Sequence, residues 1–399
     1  MNFLRSERWS AALLLTAAVI GLVIANLPFG PALIELKNEH LDLSWIGLDL
    51  SAGHWISDGL LAVFFFIVAV ELKRELVIGE LNSPSKALLP AIAALGGVIV
   101  PAAIFLAFTA GTETVEGWPI PTATDIAFAL GVLAVFGRWI PTRVRVFLLA
   151  LAVLDDLIAI IIIAFFFTSD ADLAALGVAA LAIAAFGATS RLMKPRSNWI
   201  LARRPQWPII LVLVALWVLA WYFVLQSGVH ATIAGVALGL VMARRPAGRA
   251  VHALEPISNG VILPLFAFSA AMVVVPQVRP AELDPAFWGI LVGLPVGKVI
   301  GITLAGVLGG LVARRGSGTP LTLADLAVVG ALGGIGFTVS LLMNELAFAG
   351  LPGVADEGTL AVLLGSGVAM VLSAVLVTLR SRRYRRTGGH PGVGGAFSR

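Results

Sequence analysis

Cysteine is absent from all 399 residues, which excludes disulfides, thiol chemistry and Cys-ligated metals and leaves the redox compartment open. Charge is scarce as well: 13% of the residues are Asp, Glu, Lys or Arg, against roughly 25% in an ordinary soluble domain. Histidine occurs five times, at His40, His54, His230, His252 and His390, without the spacing of a metal site. No stretch is long and polar enough to form a soluble domain, because apolar runs of about 20 residues recur along nearly the whole length. With 59% hydrophobic residues, the chain reads as an all-α polytopic membrane protein, one transmembrane unit whose working site lies within the bilayer.

Apolar runs set against turn and charge signals give about 12 transmembrane helices, centred near residues 20, 65, 98, 128, 155, 180, 215, 235, 262, 300, 335 and 370. The run from Ala11 to Ala25 after Arg5 and Arg8 is long and has no small-residue cleavage site, so it reads as a first membrane helix rather than a signal peptide. With a cytoplasmic N-terminus, the inside segments hold 24 of the 27 Lys and Arg residues. Only Lys37 and Arg279 fall in outer loops, and Lys298 falls inside a span. The outer loops are acidic, with Glu35, Glu39, Asp42 and Asp49 in the first. This asymmetry puts both termini in the cytoplasm and supports an even helix number. The outer loop 30–52 forms either a small β-hairpin or a plain polar loop. The basic end, RSRRYRR from Arg380, anchors the last helix at anionic headgroups, and residues 381–399 form a disordered tail.

Two spans carry matching irregularities. The fourth reads WPIPTATDIAFALGVLAVFG, with Pro119, Pro121, Thr122 and Thr124 crowding Asp125; the eleventh reads VVGALGGIGFTVSLLM, with Gly330, Gly333, Gly334 and Gly336 close together. Each is the middle of a three-helix group, residues 86–167 and 286–380, and the odd number of helices between them gives the groups opposite topology. Interrupted helices 4 and 11 in inverted-topology repeats (helices 3–5 and 10–12) point to a transporter's midplane site. Helix packing by small residues is the alternative reading of the eleventh-span glycines, though not of the fourth span.

The ionisable residues well inside the spans are Asp125, Asp155, Asp156 and Lys298, with Asp58, Glu71 and His230 nearer the ends. A charge at the bilayer centre costs about 2.5–3.5 kcal/mol on insertion scales, so such residues are retained for function. Asp155 and Asp156 are consecutive in LAVLDDLIAIIIIA, and on a helix they point about 100° apart. Carboxylates held together favour each other's protonation, while an ammonium opposes it. A desolvated pair can therefore exchange its protons for a small hard cation such as Na+ or Li+, which prefers oxygen ligands. Asp125 neutralises half-helix N-termini and Lys298 C-termini; alternatively, Lys298 forms a salt bridge with an aspartate and is released when the cation binds. Glu71, Lys73, Arg74 and Glu75 in ELKREL form either a solvated helix terminus or a regulatory cluster at an ion entrance, with His252 and Glu255 as neighbours. His230 is an interfacial hydrogen-bonded residue or a sensor.

Together, PTATDIAFALGVLAVFG, LAVLDDLIAIIIIAFF, WISDGLLAVFFFIVAVELKREL, SGVHATIAG, ILPLFAF, GLPVGKVIGI and GGIGFTVSLLM resemble the NhaA type of bacterial sodium/proton antiporter from about residue 8 to residue 380. The resemblance implies an inner-membrane exchanger, Na+ or Li+ extrusion driven by proton influx, about two protons per sodium ion, and activity that rises at alkaline pH. By that resemblance Asp155 and Asp156 form the aspartate pair, with Asp156 bound most directly to the ion. Thr124 and Asp125 belong to the interrupted fourth helix, Gly334 and Gly336 to the eleventh, and Lys298 is the tenth-helix lysine. Glu71, Arg74 and Glu75 match the pH-sensing cluster, with Asp58 and His230 supporting. The chain departs at Val251, where the best-known members carry a glutamate, and at Glu255, where a second histidine is expected. A homodimer is implied; the shorter first outer loop makes a hairpin interface the less expected one.

No cofactor, nucleic acid or catalysis is expected: the Tyr-Asp and Gly-x-Gly-Asp motifs of intramembrane aspartyl proteases are both missing. A passive channel fits adjacent titratable carboxylates poorly. A sodium-coupled solute symporter on a similar fold is the alternative function, and it requires a roomier polar pocket than these residues offer.

Overall fold

The fold was analysed in a computed structural model, which describes residues 7–43, 47–79, 81–168, 171–193, 206–276, 278–313 and 321–386. Residues 387–399 of the expected tail lie outside the described residues. The protein is an all-α membrane protein built from α1 (Glu7–Ala25), α2 (Gly30–Asn38), α3 (Ala52–Val77), α4 (Pro84–Thr109), α5 (Ile126–Phe136), α6 (Thr142–Phe166) and α7 (Leu173–Leu192). It continues through α8 (Trp207–Gln226), α9 (Thr232–Val241), α10 (Arg244–Ala270), α11 (Pro285–Leu311), α12 (Leu323–Gly333), α13 (Phe337–Ala347) and α14 (Pro352–Arg386). Among the described residues, eight helices are long and apolar enough to cross a membrane, or up to 11 when each bent pair counts as one span. Val23, Leu181, Leu211 and Val371 are among the large apolar side chains left exposed on the outside, as a lipid-facing surface requires.

The centres expected from sequence coincide with these helices, with three differences. The eighth expected span is only the ten-residue α9, about 15 Å long at 1.5 Å per residue and too short to cross alone. The first outer loop holds helix α2, bent 112° from α1, followed by a β-hairpin of β1 (His40–Leu43) and β2 (Leu48–Ser51) with His40 opposite Ser51. Gly47 turns the hairpin with φ +69°, and Gln226 at the C-terminal end of α8 donates to its carbonyl at 2.7 Å. Leu48 is buried with Trp221 and Val224 of α8, so one apolar side chain fixes the hairpin against the helices. At the other end α14 continues to Arg386, past the expected start of the tail.

Both interruptions form. The arm before α5 is two 3-10 turns, Glu113–Gly117 and Ile120–Thr122, because Pro119 and Pro121 lack the N–H groups that an α-helix needs there. The chain then runs extended through Ala123 and Asp125 and resumes as α5, 41° off line. The pair α12 and α13 is bent by 52° across Gly334–Gly336. The two breaks meet where the Asp125 N–H donates to the Ile335 carbonyl at 2.6 Å, and Phe128 packs against Phe337 with ring centroids 4.8 Å apart and the planes tilted by 56°.

Helix α11, which carries Lys298, lies along α4 in backbone contact. A Cβ on Gly301 would sit 2.1 Å from the Gly96 carbonyl oxygen, and one on Gly96 would sit 2.4 Å from that of Gly301. This close approach delivers Lys298 to the centre of the protein. Gly301→Val should therefore lower the thermal unfolding midpoint of the purified protein, by an overpacking cost of about 1–3 kcal/mol. Gly310→Ala, whose Cβ would meet nothing within 4 Å, should not lower the midpoint, since alanine is the better helix former.

Candidate functional site

The crossing leaves four helix ends inside the protein, and each needs partners for its backbone groups. Asp125 serves two of them. Its side chain caps α5 through the Phe128 N–H at 3.2 Å, and it also accepts from the Thr338 N–H at 3.3 Å and the Thr338 hydroxyl at 2.6 Å, at the start of α13. One carboxylate thus compensates two N-terminal dipole ends. The Phe337 N–H donates to Ser366 Oγ of α14 at 3.1 Å, and the Ser340 hydroxyl donates to the Ile120 carbonyl at 2.7 Å. The break glycines serve close approach rather than unusual backbone: a Cβ on Gly334 would lie 2.7 Å from the Leu294 carbonyl oxygen, and one on Gly336 would lie 2.2 Å from Ser340 Oγ.

Lys298 follows the π-turn Gly293–Gly297, whose wide backbone sets it facing inward. It is fully buried, and its ammonium donates to Asp155 Oδ2. The Thr124 hydroxyl lies 2.5 Å from that same oxygen and 2.7 Å from the Gly333 carbonyl at the C-terminal end of α12. The other oxygen, Asp155 Oδ1, is buried without a hydrogen-bond partner among the described residues. An acceptor left unsatisfied in a protein interior costs about 1–3 kcal/mol and more when charged. Asp156, the next residue of α6, is half-buried and projects about 100° further round the helix. It is in no ion pair among the described residues and lies in the electrostatic field of Asp155, Asp125, Glu71 and Lys298. The structure therefore brings Asp125, Thr124, Asp155, Asp156 and Lys298 together.

Among the described residues no three Asp, Glu or His side chains converge as a metal site would require. A cation at the pair needs neutral oxygens as well, and Thr124 Oγ1 and the Gly333 carbonyl are beside Asp155.

The remaining site residues form two separate groups. Glu71 is exposed at the far end of α3, in the field of Glu255, Arg74 and Glu75, and His252 is exposed one turn before Glu255 on α10. Lys73 departs from this cluster and donates to the Leu240 and Met242 carbonyls at 2.6 and 2.8 Å, closing the C-terminal end of α9. Asp58 and His230 are at the other end of α3, about 20 Å from Glu71 along the helix, with His230 Nε2 3.0 Å from Asp58 Oδ1 and Nδ1 2.7 Å from Thr232 Oγ1. They do not touch the aspartate pair.

Sequence reasoning missed three groups. Glu345 on α13 is half-buried, in the field of Lys37, Asp58, His54 and His230. Asp325 is fully buried and bonded by Arg380 Nε at 2.8 Å. Arg380 was expected at lipid headgroups; it turns inward and is only 9% exposed, because Asp325 offers it a charge partner inside. The capping pattern Thr322-x-x-Asp325 is the sequence signal that marks Asp325.

Comparison with known proteins follows the same lines. The family model described as Na+/H+ antiporter 1 matches residues 1–377. The chain is similar to "Na(+)/H(+) antiporter NhaA 2" of Clavibacter michiganensis, 62% identical over 389 residues, covering 97% of this chain and 94% of that protein. It is similar to "Na(+)/H(+) antiporter NhaA" of Tropheryma whipplei, 45% identical over 399 residues and the full length of both chains. A protein of the same name in Streptomyces antibioticus is 44% identical over 396 residues, covering 96% of this chain and 79% of that one.

Breaking a buried ion pair from one side strands a charge at a cost of about 3–5 kcal/mol, whereas removing both charges is far cheaper. Lys298→Ala should lower the unfolding midpoint strongly at neutral pH. Adding Asp155→Asn should recover most of that loss, a coupling that a double-mutant cycle on thermal stability measures.

Proposed function

The chain belongs to the Na+/H+ antiporter 1 family, and from that premise we propose that it is a secondary active, electrogenic, pH-regulated exchanger. It exports Na+ or Li+ for about two protons per ion, so each cycle moves one net charge inward. It works as a homodimer in the bacterial inner membrane, with both termini cytoplasmic and anionic lipid at the cytoplasmic face. The groups at residues 86–167 and 286–380 act as inverted repeats of a single transporter domain.

The observation that carries this reading is the state of the aspartate pair. Among the described residues, Asp155 has one oxygen bound by Lys298 and one buried and unsatisfied, next to a half-buried Asp156 that is in no ion pair. Such a pair favours whichever cation reaches it, because a desolvated carboxylate is costly without one. Na+ arrives past Glu71 and binds to Asp156 and to Asp155, while Thr124 Oγ1 and the Gly333 carbonyl complete its oxygen shell. The ammonium of Lys298 and the cation compete for Asp155, and the direct Lys298–Asp155 contact supports this reading of the lysine. After release outside, protons neutralise the carboxylates and allow the site to return. Asp125 holds the crossing together throughout, and Glu71, Arg74, Glu75, His252 and Glu255 sense cytoplasmic pH at the entrance. Solute symport is disfavoured, because Phe128 and Phe337 fill the crossing where an organic substrate would sit.

The test uses everted membrane vesicles with an acid interior. Added Na+ or Li+ should dissipate the pH gradient, and Asp156→Asn should abolish the response. A mutant that dissipates the gradient as well as wild type would refute the site. Uptake of a labelled organic solute would instead identify a symporter.

A further inference from the structure

A second buried ion pair, unused in the exchange above, lies at the cytoplasmic ends of the same helices. Asp325 is fully buried, and every lone pair it presents is engaged. Arg380 Nε donates to Oδ1 at 2.8 Å, and the Tyr384 hydroxyl lies 3.0 Å from each oxygen. The Thr322 N–H and hydroxyl donate to Oδ2 at 3.1 and 2.8 Å. Arg380 also donates from Nη2 to Thr322 Oγ1 at 2.6 Å and lies 4.6 Å from the centre of the Tyr384 ring. A capping box needs only Thr322 and Asp325. Burying an arginine as well costs several kcal/mol of desolvation unless the geometry is closed, and here it is closed.

The extra cost links elements that a cap alone would leave independent. One turn of α14, Arg380 to Tyr384, holds the start of α12 through Asp325. It holds the approach to α6 through Ser381 Oγ, which accepts the Trp139 N–H at 3.2 Å, and the start of α6 through Tyr384, which accepts from Arg143 Nη2 at 3.3 Å. Helix α12 ends at the Gly333 carbonyl, about 12 Å beyond Asp325, and α6 carries Asp155, about 18 Å beyond Arg143, at 1.5 Å per residue. Those are the two groups that Thr124 bridges. A binding geometry must be held to about 0.5 Å, and two rods pinned to one anchor keep their far ends in register.

We propose that Arg380 and Asp325, with Tyr384, are positioning residues for ion binding: a cytoplasmic clasp that fixes α6 and α12 to α14 and so sets the spacing of Asp155 and Gly333 at the site. The inference rests on the exchange reading of that site. None of the three residues contacts the cation.

The experiment measures Na+-dependent dissipation of a pH gradient in proteoliposomes, with rates normalised to folded protein by size-exclusion chromatography. Arg380→Ala should raise the half-maximal Na+ concentration about fivefold, equivalent to about 1 kcal/mol. Arg380→Lys, which keeps the charge and loses the planar fork, should fall between Arg380→Ala and wild type. Tyr384→Phe should raise it about twofold or more, as the loss of a hydrogen bond implies. Maximal rates per folded protein should change less than these values. If Arg380→Ala does not fold, Arg380→Lys and Tyr384→Phe carry the test. Half-maximal Na+ at the wild-type value in every folded variant, with only thermal stability reduced, would overturn the clasp. A wild-type protein that does not respond to Na+ would instead overturn the exchange reading.

Discussion

A charge inside a membrane protein is tolerated only against an opposite charge or a cation, and the contact of Lys298 with Asp155 is where this chain meets that constraint most severely. Both groups are buried, and α11 is brought against α4 in backbone contact at Gly96 and Gly301 to deliver the lysine. The ammonium occupies one oxygen of Asp155 and leaves the other bare. Asp156, 100° around the same helix by geometry, is half-buried and in no ion pair among the described residues. The two carboxylates thus differ, one buried against an ammonium and one half-buried, and a change of charge at either alters the field at the other.

The interrupted helices serve this arrangement. Continuous helices would fill the centre with backbone already paired to itself, whereas broken ones bring helix ends and their unpaired groups to the middle. Asp125 absorbs the two N-terminal ends, so it is committed to structure as well as to the field around Asp156. The C-terminal end of α12 keeps its Gly333 carbonyl beside Thr124 and Asp155. In this division Asp125 holds the two helix starts of the crossing and Lys298 balances the charge of Asp155.

Much of this was legible in the sequence because its signals are local. Hydropathy located the spans, Pro119 and Pro121 announced the first break, and adjacency alone set Asp155 and Asp156 in different directions. The family followed from motifs distributed along the chain. What stayed hidden depended on contacts between distant elements. The two roles of Lys298 differ only in which helix its side chain reaches, and no spacing encodes that. Arg380 was counted as one more inside positive charge, since the charge rule records position along the chain and not direction, while its partner Asp325 is 55 residues away. The hairpin at 40–51 depends on Leu48 finding α8, and α9 is short because its apolar run, suited to a full span, folds into only ten helical residues.

The central claim is that one set of carboxylates holds either protons or Na+. Calorimetric titration of the detergent-purified protein with Na+, in two buffers of different ionisation enthalpy at the same pH, counts the protons released when the cation binds. The account predicts release of about one to two protons per Na+, since cation ligands must give up their protons. It also predicts that release declines at alkaline pH, where the carboxylates are already ionised. Saturable Na+ binding with the same heat in both buffers across the pH range would contradict it.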